Sequence, residues 1–273
     1  MEKKFIIGVL ATAAIVIIMC FFYNRALNYE EEVVIEKKVD SLIAVLNSKI
    51  SETSNIALSL SLALSKNPHI VQCLLRGNDS TCLSHIPDFE LIMEKHTVFK
   101  NMIIHLHAKD HSSFICLNHY KTRAEIDSAF IRNSLKKAKE TKEPVQGIEI
   151  GQYGIFKRVV VPVFEQDNYI GAIEIIVFPE EYTEFFKNID IDLYILMKNS
   201  YLPTASGAKY MEKLMLKNYT ITNRETNGLS FLNDIEFSGT GYLKHDDKYI
   251  AYTPIIDING DEVGYYVLSW IKS

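Results

Sequence analysis

The chain has 273 residues, a formal net charge of −5, 48% hydrophobic and 11% aromatic residues. No basic stripe is present to neutralise phosphates, which excludes nucleic acid as a partner. Lys136, Lys137, Lys139 and Lys142 alternate with Glu140 and Glu143 and read as one solvated helix face. The sequence holds no G-x-S-x-G, no H-E-x-x-H, no phosphate-binding glycine loop and no glycine-rich dinucleotide turn. No enzymatic activity and no cofactor are therefore expected, and Asp246, Asp247 and Asp257 read as turn carboxylates.

The first element is Phe5 to Tyr23, nineteen residues without a charge. As a helix it reaches roughly 28 Å, near the ~30 Å hydrocarbon thickness of a bilayer. It is expected to be a transmembrane helix at 5–23, after a cytoplasmic amino terminus at 1–4 that carries Lys3 and Lys4. Glu30, Glu31 and Glu32 follow on the other side. The expected topology is single-pass in the inner (cytoplasmic) membrane, with the bulk periplasmic or extracellular. A cleaved signal would need small residues of the A-x-A type, which are missing between Ile18 and Leu27, and Met19 before Cys20 does not suit lipidation.

From about Arg25 to Ser65 there is neither proline nor glycine. Val39, Ile43, Leu46, Ile50, Thr53, Ala57, Leu60 and Leu64 follow an alternating four-three spacing, which is a heptad seam. A long stalk helix is expected over 24–67, ended by Asn67-Pro68. Its seam serves either a homodimer, or packing inside its own chain.

Helical stretches at His69–Arg76 and Phe89–Lys100 come next. Cys73 and Cys82 bracket a Gly-Asn-Asp-Ser turn, and a disulfide between them is expected in an oxidising compartment. MIIHLH and SFICLN form a hairpin, an amphipathic helix runs from about Arg123 to Thr141, and VQGIEIG, FKRVVVPVF and YIGAIEIIVF are strands. This order predicts a PAS-like antiparallel sheet at 68–180, with the long helix lying across one face.

A smaller unit is expected at 181–273, with a strand DLYILMKN, a short helix Lys209–Lys217, and a hairpin turned by Asn259-Gly260. FKRVVVPVFEQDNYIGAIEIIV and KYIAYTPIIDINGDEVGYYVLS each read strand, proline, acidic turn, glycine, strand. The echo predicts two copies of one fold in tandem. The fold class is α+β, with one N-terminal transmembrane helix, a long stalk helix and two tandem PAS-like antiparallel sheets.

One span, a long helix and the paired segments VPVFEQDNYIGAIEIIV and TPIIDINGDEVGYYVL resemble a double Cache sensory domain over about residues 25 to 271. Such domains are the extracytoplasmic parts of bacterial chemoreceptors, sensor kinases and diguanylate cyclases. The resemblance implies a membrane-distal unit, 68–180, that binds a small molecule, and a membrane-proximal unit, 181–273. Related domains carry an arginine and an aromatic two residues apart near SSFICLN, where this chain has Cys116 and Asn118. Such receptors continue through a second span to an output module, and this chain stops at Ser273. The expected function is a ligand-sensing domain for signal transduction or chemotaxis without its own output module. The alternative is a membrane-tethered adaptor, a partner subunit of a split receptor with no small-molecule ligand.

Arg158 and Glu174 interrupt otherwise apolar strands, and a buried charge demands a partner. Either they pair with each other, or one meets a charged ligand such as a carboxylate or an amine. Asn118, Tyr120 and Tyr153 are placed to add hydrogen bonds, and Cys116 lies on the neighbouring strand. His105 and His107 share one strand face, with His111 and His119 nearby, but no cysteine pair or carboxylate at a standard spacing completes a metal site, so no metal is expected.

Overall fold

A computed structural model of the chain describes residues 2–76, 92, 95–96, 102–111, 113–117, 132–152, 154–205, 215–223 and 230–272. The expected sites Cys82, Asn118, His119, Tyr120 and Tyr153 lie outside the described residues, as does nearly all of the Phe89–Lys100 stretch. The chain divides into two compact units, 1–45 and 46–273.

Helix α1 runs without interruption from Glu2 to Ser65 and takes in both the apolar run and the stalk. Among the described residues no helix is long and apolar enough to cross a membrane; within the Phe5–Tyr23 run, side chains are described only from Ile15 onward. At the far end of α1, the Asn67 Oδ1 atom accepts the His69 backbone N–H at 2.9 Å, capping α2 (Pro68–Arg76). Pro68 fits the first turn because a helix needs no donor there.

Among the described residues, the second unit contains two five-stranded antiparallel sheets. The first has the order β2-β1-β5-β4-β3, built from β1 (Met102–Ala108), β2 (Ser113–Leu117), β3 (Val145–Gly151), β4 (Gly154–Glu165) and β5 (Asn168–Val177). The second has the order β7-β6-β10-β9-β8, from β6 (Asp192–Lys198), β7 (Tyr219–Ile221), β8 (Gly241–His245), β9 (Lys248–Ile256) and β10 (Glu262–Ile271). The second order is the first shifted by five strands, so the sequence echo corresponds to a repeated topology. Helix α3 (Asn133–Thr141) packs on the first sheet, and α4 (Glu180–Lys187) leads into the second.

Period-two alternation gives the first sheet two buried faces. Ile104, Leu106, Val159, Ile173, Ile175 and Val177 point to one face, where they form a core with Ala57 of α1 and Ile70 and Leu74 of α2. In this unit the seam positions Leu46, Ile50, Thr53 and Ala57 are buried inside the chain. The Ser54 hydroxyl also donates to Gln146 Oε1 of β3 at 2.5 Å. Of the two uses of the seam, the structure realises packing within the chain over this stretch.

The helix expected from Arg123 to Thr141 does not run through Arg132. That residue has φ −69° and ψ 143°, an extended conformation, and the described helix begins at Asn133. The helix expected at Lys209–Lys217 is also corrected at its end. Met215 bridges Thr220, and the Leu216 N–H donates to Tyr219 O at 2.7 Å, so the chain there turns into β7.

Candidate functional site

The other face of the first sheet carries the charges. Register places His105 of β1 opposite Glu174 of β5, and Val160 of β4 on the far side of Glu174. Directly opposed residues share a face, so His105, His107, Glu174 and Arg158 all emerge together. Cys116 of β2 stands opposite His105.

Glu174 is fully buried and is the hub of this face. Its Oε2 accepts from His105 Nδ1 at 2.9 Å, from His107 Nε2 at 3.0 Å, and from the Arg132 guanidinium. Its Oε1 accepts from Arg158 Nη1 at 2.7 Å. Burial pushes this carboxyl up, but the Arg132 and Arg158 guanidiniums and the two histidine donors outweigh it and hold Glu174 well below the usual carboxylate range. Arg158 and Glu174 thus meet each other, the first of the two outcomes expected from sequence. Burial, with the nearby Arg132 charge, pushes Arg158 down, and Glu174 and Glu149 oppose that effect.

A second carboxylate continues the network. Glu149 Oε2 lies 3.7 Å from Arg158 Nε and accepts the Ser134 hydroxyl at 2.6 Å, while Oε1 accepts the Ser134 backbone N–H at 3.0 Å. Arg132 makes no side-chain cap of its own for α3, so Glu149 supplies the acceptor that the helix start requires. Two carboxylates and two guanidiniums give the cluster balanced charge. Gly151 makes room for it, because a Cβ there would stand 2.6 Å from Arg158 Nη2.

The histidines differ. Burial pushes His105 down to about 4 against the pull of Glu174, so its ring is neutral at neutral pH. Its Nε2 is buried without a hydrogen-bond partner among the described residues. His107 approaches acceptors through both nitrogens, Glu174 through Nε2 and the His111 carbonyl through Nδ1 at 3.3 Å.

Sequence reasoning found Arg158, Glu174 and the histidine pair, and the structure brings these four together. It missed Arg132, Glu149 and Ser134. Arg132 sat inside a presumed helix, while Glu149 alternates with Gly147 and Gly151 in a strand that could have signalled a crowded neighbour. The carboxylate absent from any standard spacing around the histidines comes from β5 through sheet register. Cys73 is disulfide-bonded, and Cys82, its expected partner, is outside the described residues.

The turn between β9 and β10 reaches the same region. Ile258 packs with Leu135, Ala138, Val145 and Val160, its N–H donates to Ile148 O at 2.9 Å, and Asn133 Nδ2 donates to Asn259 Oδ1 at 3.2 Å. A Cβ at Gly147 would lie 2.8 Å from Ile258, so glycine there permits the close approach.

Residues 49–269 match the family described as the double sensory domain of two-component sensor kinase. No curated protein sequence matches the chain. Among solved structures, the extracellular domain of vpHK1S-Z8, described as a histidine kinase, superimposes with a TM-score of 0.50 at 14% identity, covering 87% of this chain and 96% of that one. The sensory domain of the Campylobacter jejuni chemoreceptor Tlp3 gives 0.48 at 10% identity over 88% and 94%. The sensor domain of the V. cholerae histidine kinase DctB gives 0.46 at 12% identity over 86% and 96%.

Proposed function

The chain belongs to the double Cache family of sensory domains of two-component sensor kinases, and on that premise we propose that it is a membrane-anchored, extracytoplasmic ligand-sensing domain. Its ligand is taken on the α3-covered face of the first sheet, the membrane-distal unit at 68–180, and 181–273 is the membrane-proximal unit. The observation that carries this reading is Glu174, a fully buried carboxylate on which donors from β1, β4 and the residue before α3 converge. A stability-driven sheet face would be apolar, because replacing buried ion pairs by well-packed apolar residues is often neutral or stabilising. Retaining this cluster favours recognition.

The anchor is supported by Ile15 to Ile18, Met19 and Phe21 to Tyr23, whose side chains are between 54% and 69% exposed. A contiguous apolar surface of this kind suits hydrocarbon better than water. A disulfide at Cys73 suits an oxidising compartment. Of the expected binding residues, Arg158 and Glu174 form the core of the proposed site, and Cys116, Asn118, Tyr120 and Tyr153 are proposed as further ligand-binding residues from the sequence alone.

The test is a thermal-shift screen of the full chain in detergent micelles against organic acids, amines, amino acids and inorganic ions. A saturable shift that is lost on changing Arg158 or Glu174 is expected. One observation favours the second reading, a tethered adaptor: the cluster's charges already satisfy one another. No shift with any compound would establish that reading instead.

A further inference from the structure

His107 poses a problem that no organic ligand is needed to state. Both of its nitrogens face acceptors, the Glu174 carboxylate at 3.0 Å and the His111 carbonyl at 3.3 Å. A neutral imidazole satisfies one of these and presents a lone pair to the other, whereas a doubly protonated or metal-bound imidazole satisfies both. A cation at Nε2 removes the conflict, because Nδ1–H is then free to donate to the His111 carbonyl. A ligating histidine whose other nitrogen donates to a backbone carbonyl is the usual arrangement around a bound metal.

We propose that His105 Nδ1, His107 Nε2 and Glu174 Oε2 form a binding site for a divalent transition-metal ion of the Zn2+ type, and that this ion is the ligand sensed on this face. The proposal deepens the sensory reading above and rests on it. The three donor atoms lie within 4.8 Å of one another, and both nitrogens are 2.9 to 3.0 Å from the same oxygen. A tetrahedral site with bonds of ~2.0–2.1 Å has donors ~3.3 Å apart, so the two nitrogen–oxygen distances need open by only a few tenths of an ångström. Two imidazoles and one carboxylate form the donor set of open sites, which leave a position for water or another ligand. The donors come from hydrogen-bonded neighbouring strands, with His105 directly opposite Glu174, so the sheet itself preorganises them.

The surrounding groups fit this role. Arg158 holds the other oxygen of Glu174, Oε1, at 2.7 Å and so orients the carboxylate from behind. His105 coordinates through Nδ1, which puts its N–H on the buried Nε2, an atom with no hydrogen-bond partner among the described residues, so His107 is the better supported of the two histidine ligands. The competitor is Arg132, whose guanidinium sits on Oε2. Its side chain is 16% exposed, against 1–3% for His105, His107 and Arg158. Ion binding is therefore an exchange in which the metal enters at Oε2 and Arg132 turns out towards water. Arg132 immediately precedes Asn133 and Ser134, which hold the β9–β10 turn and Glu149, so the exchange acts on the start of α3.

The test uses the full chain in detergent micelles, prepared without a polyhistidine tag and stripped with EDTA. Zn2+ is titrated by calorimetry and Co2+ by its visible absorption. One ion per chain is expected, with the intense Co2+ bands of a low-coordinate nitrogen-oxygen site, and with both signals lost in His107→Gln. Arg132→Gln removes the competing cation and is expected to tighten Zn2+ at least 10-fold; this variant decides the matter if His107→Gln does not fold. The proposal is overturned by Zn2+ and Co2+ that do not bind, by binding that persists undiminished in a folded His107→Gln, or by Arg132→Gln that leaves affinity unchanged or weaker. Histidine 15N shifts showing both His107 nitrogens protonated in saturating Zn2+ also overturn it. An organic compound that shifts the melting temperature while Zn2+ does not bind overturns the metal site and leaves the sensory reading standing, and failure of both removes both.

Discussion

Changing Glu174 to Gln tests the electrostatic hub directly. The substitution keeps the shape but removes the charge facing two guanidiniums, and it turns an N–H2 towards groups that are already donors. Arg132 is partly exposed and can turn to water, so its loss is discounted. Arg158 cannot escape: it is 3% exposed, and its remaining carboxylate, Glu149, stands 3.7 Å away. Leaving one partner of a buried pair uncompensated costs about 3–5 kcal/mol. At about 2–4 °C per kcal/mol for a domain of this size, the melting temperature falls by roughly 6–20 °C. The assay is thermal unfolding of the full chain by circular dichroism at neutral pH in EDTA, which keeps metal out of the comparison. Glu174→Leu combined with Arg158→Met removes both charges and is expected to recover at least half of the loss. A single substitution that costs under about 1 kcal/mol, the range of a solvated pair, would refute the dry, mutually dependent cluster.

Four further outcomes follow from the packing. Ala57→Leu is expected to destabilise by about 1–3 kcal/mol, because Ala57 is fully buried against the first sheet; a coiled-coil seam between chains would instead be strengthened, and analytical ultracentrifugation with thermal melts separates the two. In EDTA, stability should fall between pH 6.5 and about 4 by about 3 kcal/mol, because the unfolded His105 takes up its proton near 6.5 while burial holds the native ring at about 4, and His105→Gln should flatten that slope in pH-dependent melts. Gly171→Ala places a Cβ 2.3 Å from the His107 carbonyl at φ +153°, so it should destabilise by more than about 1 kcal/mol and disturb the His107 amide in NMR spectra. Ile258→Ala, on a half-buried side chain, should cost about 1–2 kcal/mol, below the range for a fully buried isoleucine, measured by calorimetry.

What the sequence reveals of this molecule is whatever depends on local period and turn chemistry. The strands of both sheets other than the three-residue β7, the proline-acidic-glycine echo and the charged interruptions at Arg158 and Glu174 are visible as short-range pattern. The site is less legible because it is assembled by register. Nothing in the spacing of His105 and His107 points to a carboxylate 69 residues away, and only the pairing of β1 with β5 supplies it. Arg132 is hidden for a different reason. The helical period around it is good, and tertiary attraction to Glu174 accompanies an extended backbone at a position where local propensity would have continued the helix. The heptad seam is the converse case, since a four-three spacing describes one helix face equally well whether a second chain or a sheet covers it.

The three residues that open α3 give the fold its connection between site and second sheet. Arg132 reaches Glu174 at the hub, Asn133 reaches Asn259 in the β9–β10 turn, and Ser134 is held twice by Glu149 of β3. Consecutive residues at a helix start cannot move independently, because their backbone N–H groups are committed to one capping geometry. On the proposed exchange, a ligand that takes Arg132's place on Glu174 would alter what holds Asn133 and Ser134, and Ile258, packed over Gly147 beside Leu135 and Ala138, links that helix start to a turn joining two long strands of the second sheet.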